Sequence, residues 1–258
     1  MERLHAVYRR IHEQGFLPIF TENEYDSKAL VEACVVAGCS AIEYTLRSRD
    51  AHIMIPWARK QYPDLCLIVG STLDSEPLVR HARSRHPQLL TIEELASIGV
   101  DGFVSMVGFR PETLKRYSST HLMIAPVSTM YEAFSAIESG AHFVKVAGTQ
   151  LELVKYLRYD ATFGFCPIMV TGGMTMDRIP AAVEAGAVLI GSGFELILQG
   201  LPTDSSARQA ADALAPYLDA TRQARDNKWP ALAKARDGDI NSWSAALPHH
   251  HPFDKHQE

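Results

Sequence analysis

Short apolar runs alternate with amphipathic stretches along most of the chain. Residues 16–20 read FLPIF, 41–46 AIEYTL and 65–71 LCLIVGS, each short and rich in aliphatic or aromatic side chains. Comparable runs follow at 102–106, 122–127, 143–146, 167–171 and 188–190. Between them lie segments of helical character: 26–37, 50–62, one starting at Pro111, one ending at Ser139 with Ser128 or Thr129 as cap, 151–159 and 176–185. The pattern gives eight strands, each followed by a helical segment.

Strands that are apolar throughout belong in a parallel sheet covered by helices. Eight successive strand–helix units favour closure into a (β/α)8 TIM barrel over an open sheet. The chain has 258 residues, enough for one barrel at 1–200 and a C-terminal extension at 201–258. Residues 74–90 lengthen the third connection and hold a short charged helix, in which Arg80, His81, Arg83, Arg85 and His86 read as a solvated face. In the extension, 205–225 is alanine-rich and amphipathic, which predicts a surface helix. The stretch with Pro248, His249, His250, His251 and Pro252 reads as a poorly ordered tail.

Composition narrows the function. A net charge of -5 argues against a nucleic-acid partner. No apolar run approaches the ~20 residues of a membrane span, and the N-terminus lacks the apolar core of a signal peptide. The four cysteines, Cys34, Cys39, Cys66 and Cys166, form no CxxC pair and imply neither a disulfide framework nor a zinc ribbon. These features suit a cytoplasmic protein. No metal and no cofactor is expected, because His52, His121 and His142 do not group with carboxylates at ligand spacing.

Three places carry chemistry. In the second strand, alternation puts Glu43, Thr45 and Arg47 on one face and Ile42, Tyr44 and Leu46 on the other. The apolar set suits the outer helices, so the polar set lines the barrel toward its mouth. Burying such charges is costly without a purpose, although a structural ion pair is the competing reading. In the sixth strand, Lys145 is a lone charge in FVKVA; loss of hydration lowers its pKa and leaves a nucleophilic amine. The competing reading there is a lysine snorkelling from a strand end. Even-numbered strands contribute to one interior layer, so Glu43 and Lys145 can converge. Last, Thr171-Gly172-Gly173 ends the seventh strand and Gly191-Ser192-Gly193 the eighth, the places where barrels hold a phosphate.

These residues resemble the family of 2-keto-3-deoxy-6-phosphogluconate and 4-hydroxy-2-oxoglutarate aldolases from about Phe16 to Phe194. The family strand LEVTLRT is similar to Ile42-Glu43-Tyr44-Thr45-Leu46-Arg47-Ser48, and VGAGTV to Val69-Gly70-Ser71-Thr72-Leu73. PGISTxSE is matched by Pro126 to Glu132, GxxxFK by Gly140 to Lys145, TGGI by Thr171 to Met174, and GGSWL by Gly191 to Glu195. The resemblance implies a class I aldolase that cleaves a 2-keto-3-deoxy sugar acid or 4-hydroxy-2-oxo acid to pyruvate and an aldehyde. It implies Lys145 as the Schiff-base lysine and Glu43 as the general acid/base. Arg47, Thr72 and Thr171 would hold the pyruvyl carboxylate and nearby oxygens, and Gly172, Gly173, Gly191 and Ser192 a substrate phosphate. It further implies a homotrimer.

The sequence departs from the family after the lysine (Val146-Ala147-Gly148-Thr149), after the first strand (Thr21 in place of an arginine) and after the fourth (Ser105-Met106-Val107-Gly108). The expectation is a retained reaction and phosphate site with altered preference for the aldehyde half. A non-catalytic phosphosugar-binding barrel, a phosphosugar isomerase or epimerase, and a metal-dependent aldolase are the alternatives.

Overall fold

The computed structural model describes residues 2–21, 24–162, 164–250 and 252–253. Helix α1 (Glu2–Gln14) comes first. The alternation then runs β1 (Phe16–Phe20), α2 (Ser27–Val36), β2 (Ala41–Thr45), α3 (Ala51–Gln61), β3 (Cys66–Thr72), α4 (Glu76–Arg85), α5 (Ile92–Ile98) and β4 (Gly102–Ser105). It continues through α6 (Pro111–Tyr117), β5 (Leu122–Pro126), α7 (Met130–Glu138), β6 (Phe143–Ala147), α8 (Leu151–Tyr159) and β7 (Ile168–Thr171). A 3-10 turn (Met176–Arg178), α9 (Ile179–Ala185) and β8 (Leu189–Gly193) complete the series. After it come α10 (Phe194–Ile197), α11 (Ala207–Lys228), α12 (Pro230–Ala235) and α13 (Ile240–Ala246).

All eight strands lie in sequence order in one closed parallel barrel, the fold that the pattern predicts. The edge problem of an open sheet disappears because β1 pairs with β8, Leu17 opposite Gly191. Strand parity sorts the core into two parts. Ile42, Tyr44, Val144 and Val146 pack outward with the helices. Leu17, Ala41, Cys66, Ile68, Phe143 and Met169 fill the lower interior.

That interior column needs a cover at its N-terminal end. Leu4, Val7, Tyr8 and Ile11 share one face of α1 and close it from below. Trp243 of α13 and Leu247 pack onto the same cluster, and the Tyr8 hydroxyl meets Nε2 of His249 at 2.6 Å. The Tyr8 ring sits 5.2 Å from that of Phe143 and 5.4 Å from that of Phe253. The stretch expected to be a poorly ordered tail is therefore packed where it is described, because it shields apolar surface beneath the barrel. His251 lies outside the described residues.

Helix α11 packs between α2 and α9 and so takes a place in the helical ring. A capping box of Ser206 and Gln209 starts it. Its Arg225 is buried and donates to the carbonyl oxygens of His12, at 2.5 Å, and Glu13, at 3.2 Å, at the end of α1. Gly15 follows with φ +70° and leaves the guanidinium room that a Cβ would take.

A second polar anchor ties the lower rim. The buried carboxylate of Asp101 pairs with Arg59 of α3, bonds Arg3 of α1 at 2.8 Å, and accepts from the Leu67 amide at 2.9 Å. Removing it strands a half-buried guanidinium and a buried amide. Asp101→Ala is expected to lower unfolding free energy by about 3 kcal/mol, read from urea denaturation midpoints; a change below about 0.5 kcal/mol would mark the cluster as mere surface pairing.

Candidate active site

Parity on β2 turns Glu43 and Thr45 inward, and both are buried. Lys145 points inward from β6, between Pro126 of β5 and Met169 of β7 in the register. The two charges from opposite parts of the barrel line one cavity of about 300 Å³ at its C-terminal mouth. Arg47, just past β2, joins the lining but remains exposed.

The environment of this pair sets its chemistry. Burial holds the Lys145 amine below its ordinary 10.5; Glu43 opposes that shift and Arg47 adds to it. Burial raises the Glu43 carboxyl above its ordinary 4.5, against the pull of Lys145 and Arg47. Oε2 of Glu43 has no hydrogen-bond partner, an acceptor left open within a buried site. Nζ of Lys145 lies 3.2 Å from Sδ of Met106, a soft and weak acceptor that leaves the amine free to react.

Glu43 fits because β3 yields space. A Cβ on Gly70 would stand 2.2 Å from Oε1 of Glu43, so a side chain there would push the carboxylate from this position. Beyond it, Ser71 has φ +59°, and the β3–β4 register shifts between Val69 and Thr72. Thr72, expected to contact the substrate, is buried and does not line the cavity. Its hydroxyl donates to the Val104 carbonyl at 3.0 Å.

The glycine turns divide in the same way. Thr171, Gly172, Gly173 and Gly193 line the cavity. Gly172 and Gly173 have φ +89° and +63°, which favours glycine. Arg178 braces this turn, donating to the carbonyls of Gly173 at 2.6 Å and Gly148 at 2.9 Å. Gly191 instead packs within β8 against Met169 and Ile19. Ser192 is buried and donates to the Met174 carbonyl at 2.7 Å. Neither is among the residues that line the cavity. Gln150 lines it without having been singled out by sequence, and Ser128 and Glu195, met there only as a helix cap and as the end of a motif, line it too. Their signal is weak, since polar loop residues abound and only the closed barrel assembles them. Met106, one of the departures from the family pattern, lies in the same lining.

Among the described residues, no group of three histidine, cysteine or acidic side chains is placed to hold a metal ion. His142 is buried at the lower rim, accepting from the Met123 amide at 2.9 Å, and His121 stacks on Phe103.

The chain is 26% identical over 203 residues to 2-dehydro-3-deoxy-6-phosphogalactonate aldolase of Escherichia coli (strain K12), spanning 76% of this chain and 91% of that one. Its fold is similar to the 2-keto-3-deoxy-6-phosphogluconate aldolase of Zymomonas mobilis ZM4, solved with 3-phosphoglycerate, at TM-score 0.63 and 20% identity, covering 86% of this chain and 97% of that one. It is also similar to KDPG aldolase from Legionella pneumophila, solved with pyruvate captured as a covalent carbinolamine, at TM-score 0.60 and 16% identity, covering 86% and 97%. The family model "KDPG and KHG aldolase" matches residues 7–208, most of the barrel and its last connection. The chain therefore belongs to the KDPG and KHG aldolase family and is an aldehyde-lyase of class I.

Proposed function

We propose that Lys145 is the Schiff-base lysine and Glu43 the group that moves protons, in the reversible cleavage of a 2-keto-4-hydroxy acid to pyruvate and an aldehyde. The single observation that carries this is the pair itself: a desolvated amine and a desolvated carboxyl facing one cavity. The carbinolamine in the Legionella relative is an intermediate of the same kind.

The steps balance with these two groups. The neutral Lys145 amine adds to the C2 ketone, and its proton passes to the resulting alkoxide. Glu43, as an acid, protonates that hydroxyl, which leaves as water and gives the iminium. Glu43, now a carboxylate, takes the C4 hydroxyl proton directly or through a water. The C3–C4 bond breaks, its electrons flow to the iminium nitrogen, and the aldehyde departs. Protonation of the enamine at C3 and addition of water release pyruvate and restore the amine. Arg47 pairs with the substrate carboxylate, and Thr171 bonds an adjacent oxygen. A binding barrel without catalysis would have no use for a lysine held out of water.

Two features of the setting join the proposal. Met106, Val107, Tyr131 and Phe134 are large apolar side chains exposed at the mouth and on α7. They suit an interface in a homotrimer. Four buried free thiols suit a cytoplasmic location. No described helix is long and apolar enough to cross a membrane.

The central test is imine trapping. Pyruvate with borohydride should add a stable mass to the peptide that contains Lys145, and Lys145→Ala should abolish it while circular dichroism is unchanged. Labelling at Lys155 would overturn the assignment. Glu43→Gln retains shape but not the ionisable group, and turnover should fall by about 10²–10⁴-fold; a rate within about threefold of the parent would make Glu43 a structural partner of Arg47. The pH dependence of trapping gives a third check. The reactive neutral amine accumulates as pH rises through its pKa, and burial moves that pKa down. The trapping rate should therefore climb through a midpoint below 10.5, and a midpoint at or above this value would contradict the buried amine.

A further inference from the structure

The cavity has a second end, formed where β1, β7 and β8 finish. Thr21, Gly172, Gly173, Gly193 and Glu195 line it. Glu195, in the first turn of α10, folds back over Gly193. Both carboxylate oxygens lie 2.2 Å from where a Cβ on Gly193 would stand. The Thr21 hydroxyl donates to Oε2 of Glu195 at 2.7 Å and tethers the carboxylate over the cavity, although the side chain has open solvent beside it.

Arg47 and Lys145 line the same cavity, and both interact with Glu43. Arg178 braces the glycine turn from behind: it donates to the carbonyls of Gly173 and Gly148, with Nη1 3.0 Å from where a Cβ on Gly173 would stand, but it does not line the cavity. The glycine turn that would receive an anion therefore shares its end of the cavity with a carboxylate, and among the described residues no lysine or arginine besides Arg47 and Lys145 lines it.

We propose that Glu195 is a specificity-determining residue that admits an uncharged, hydroxyl-bearing aldehyde half and rejects a phosphorylated or carboxylated one. This rests on the aldolase reading above and deepens it. A phosphate in the glycine turn would share this end of the cavity with the Glu195 carboxylate, and like charges at short range repel even where solvent reaches one side. Hydroxyl groups donate to the same carboxylate and replace the water it would otherwise hold. The substrate is then a 2-keto-4-hydroxy acid whose only charge is the carboxylate beside Arg47. The expected phosphate site becomes a site for sugar hydroxyls, and the selection against phosphate lies in one side chain.

The test starts from the wild-type enzyme trapped with pyruvate and borohydride. Absence of trapping overturns the aldolase reading and this inference with it. With trapping established, pyruvate is condensed separately with D-glyceraldehyde and D-glyceraldehyde 3-phosphate. The wild type should show kcat/KM at least about tenfold higher for the unphosphorylated aldehyde. Glu195→Gln keeps the volume and the Thr21 bond but removes the charge. It should shift the ratio toward the phosphorylated aldehyde by about tenfold or more, through its KM. Calorimetry with inorganic phosphate gives a readout apart from turnover, and binding should be tighter to the Glu195→Gln protein than to the wild type. A wild type that prefers the phosphorylated aldehyde, a ratio that the substitution leaves unmoved, or equal phosphate affinity would each overturn the inference and leave the aldolase reading standing.

Discussion

Taking an amine and a carboxyl out of water together costs free energy that their attraction offsets only in part. Lys145 and Glu43 are held in this condition, and the upper barrel is arranged around it. Burial favours the uncharged form of both groups, while each one's charge favours ionisation of the other. The balance can tip with the arrival of a substrate carboxylate or the loss of a water. The opposed shifts bring the two groups' proton affinities closer together than they are in water, the direction that the proposed proton transfers need. The neutral sulfur of Met106 beside Nζ preserves that balance, where another carboxylate would fix the amine as a cation.

Holding two such groups in register requires a rigid frame. The closed sheet supplies it above, and α1 with the packed C-terminal segment supplies it below. The lower half is largely apolar and is tied by anchors such as Asp101 and Arg225. Buried polar atoms without a hydrogen bond occur at both ends, Oε2 of Glu43 and the Thr45 and Ser71 hydroxyls above and Nε of Arg59 and of Arg225 below. What sets the upper end apart is that its open acceptor, on Glu43, lines a cavity.

Much of this is readable from sequence, for stated reasons. Apolar runs broken by a single charge mark Glu43 and Lys145, because few other positions in a parallel strand can tolerate one. Parity then assigns their direction without coordinates. Spacing of Leu4, Val7, Tyr8 and Ile11 marks an amphipathic helix, but nothing local tells that it lies beneath a barrel. Proline and histidine near 248–252 signal disorder only when the apolar surface they cover is unknown. Thr72 and Ser192 sit where motif spacing puts a ligand contact, yet their hydroxyls are taken by carbonyls on neighbouring segments. The Thr21–Glu195 bond joins residues 174 apart, a pairing fixed by closure of β8 onto β1 and invisible before it.

The contact between Glu43 and the backbone at Gly70 has a consequence for how such a chain can drift over generations. The carboxylate occupies the volume of the missing side chain, so positions 43 and 70 behave as one heritable unit. Alanine or serine at 70 meets the carboxylate tip, so it requires residue 43 to swing aside or to shorten, and a long acid regains its present place at 43 only while 70 is bare. Each change made first meets a steric penalty, and the order of events is constrained as well as the outcome. A descendant bearing a side chain at position 70 would be marked, by that residue alone, as one in which the side chain at 43 no longer stands where it does here.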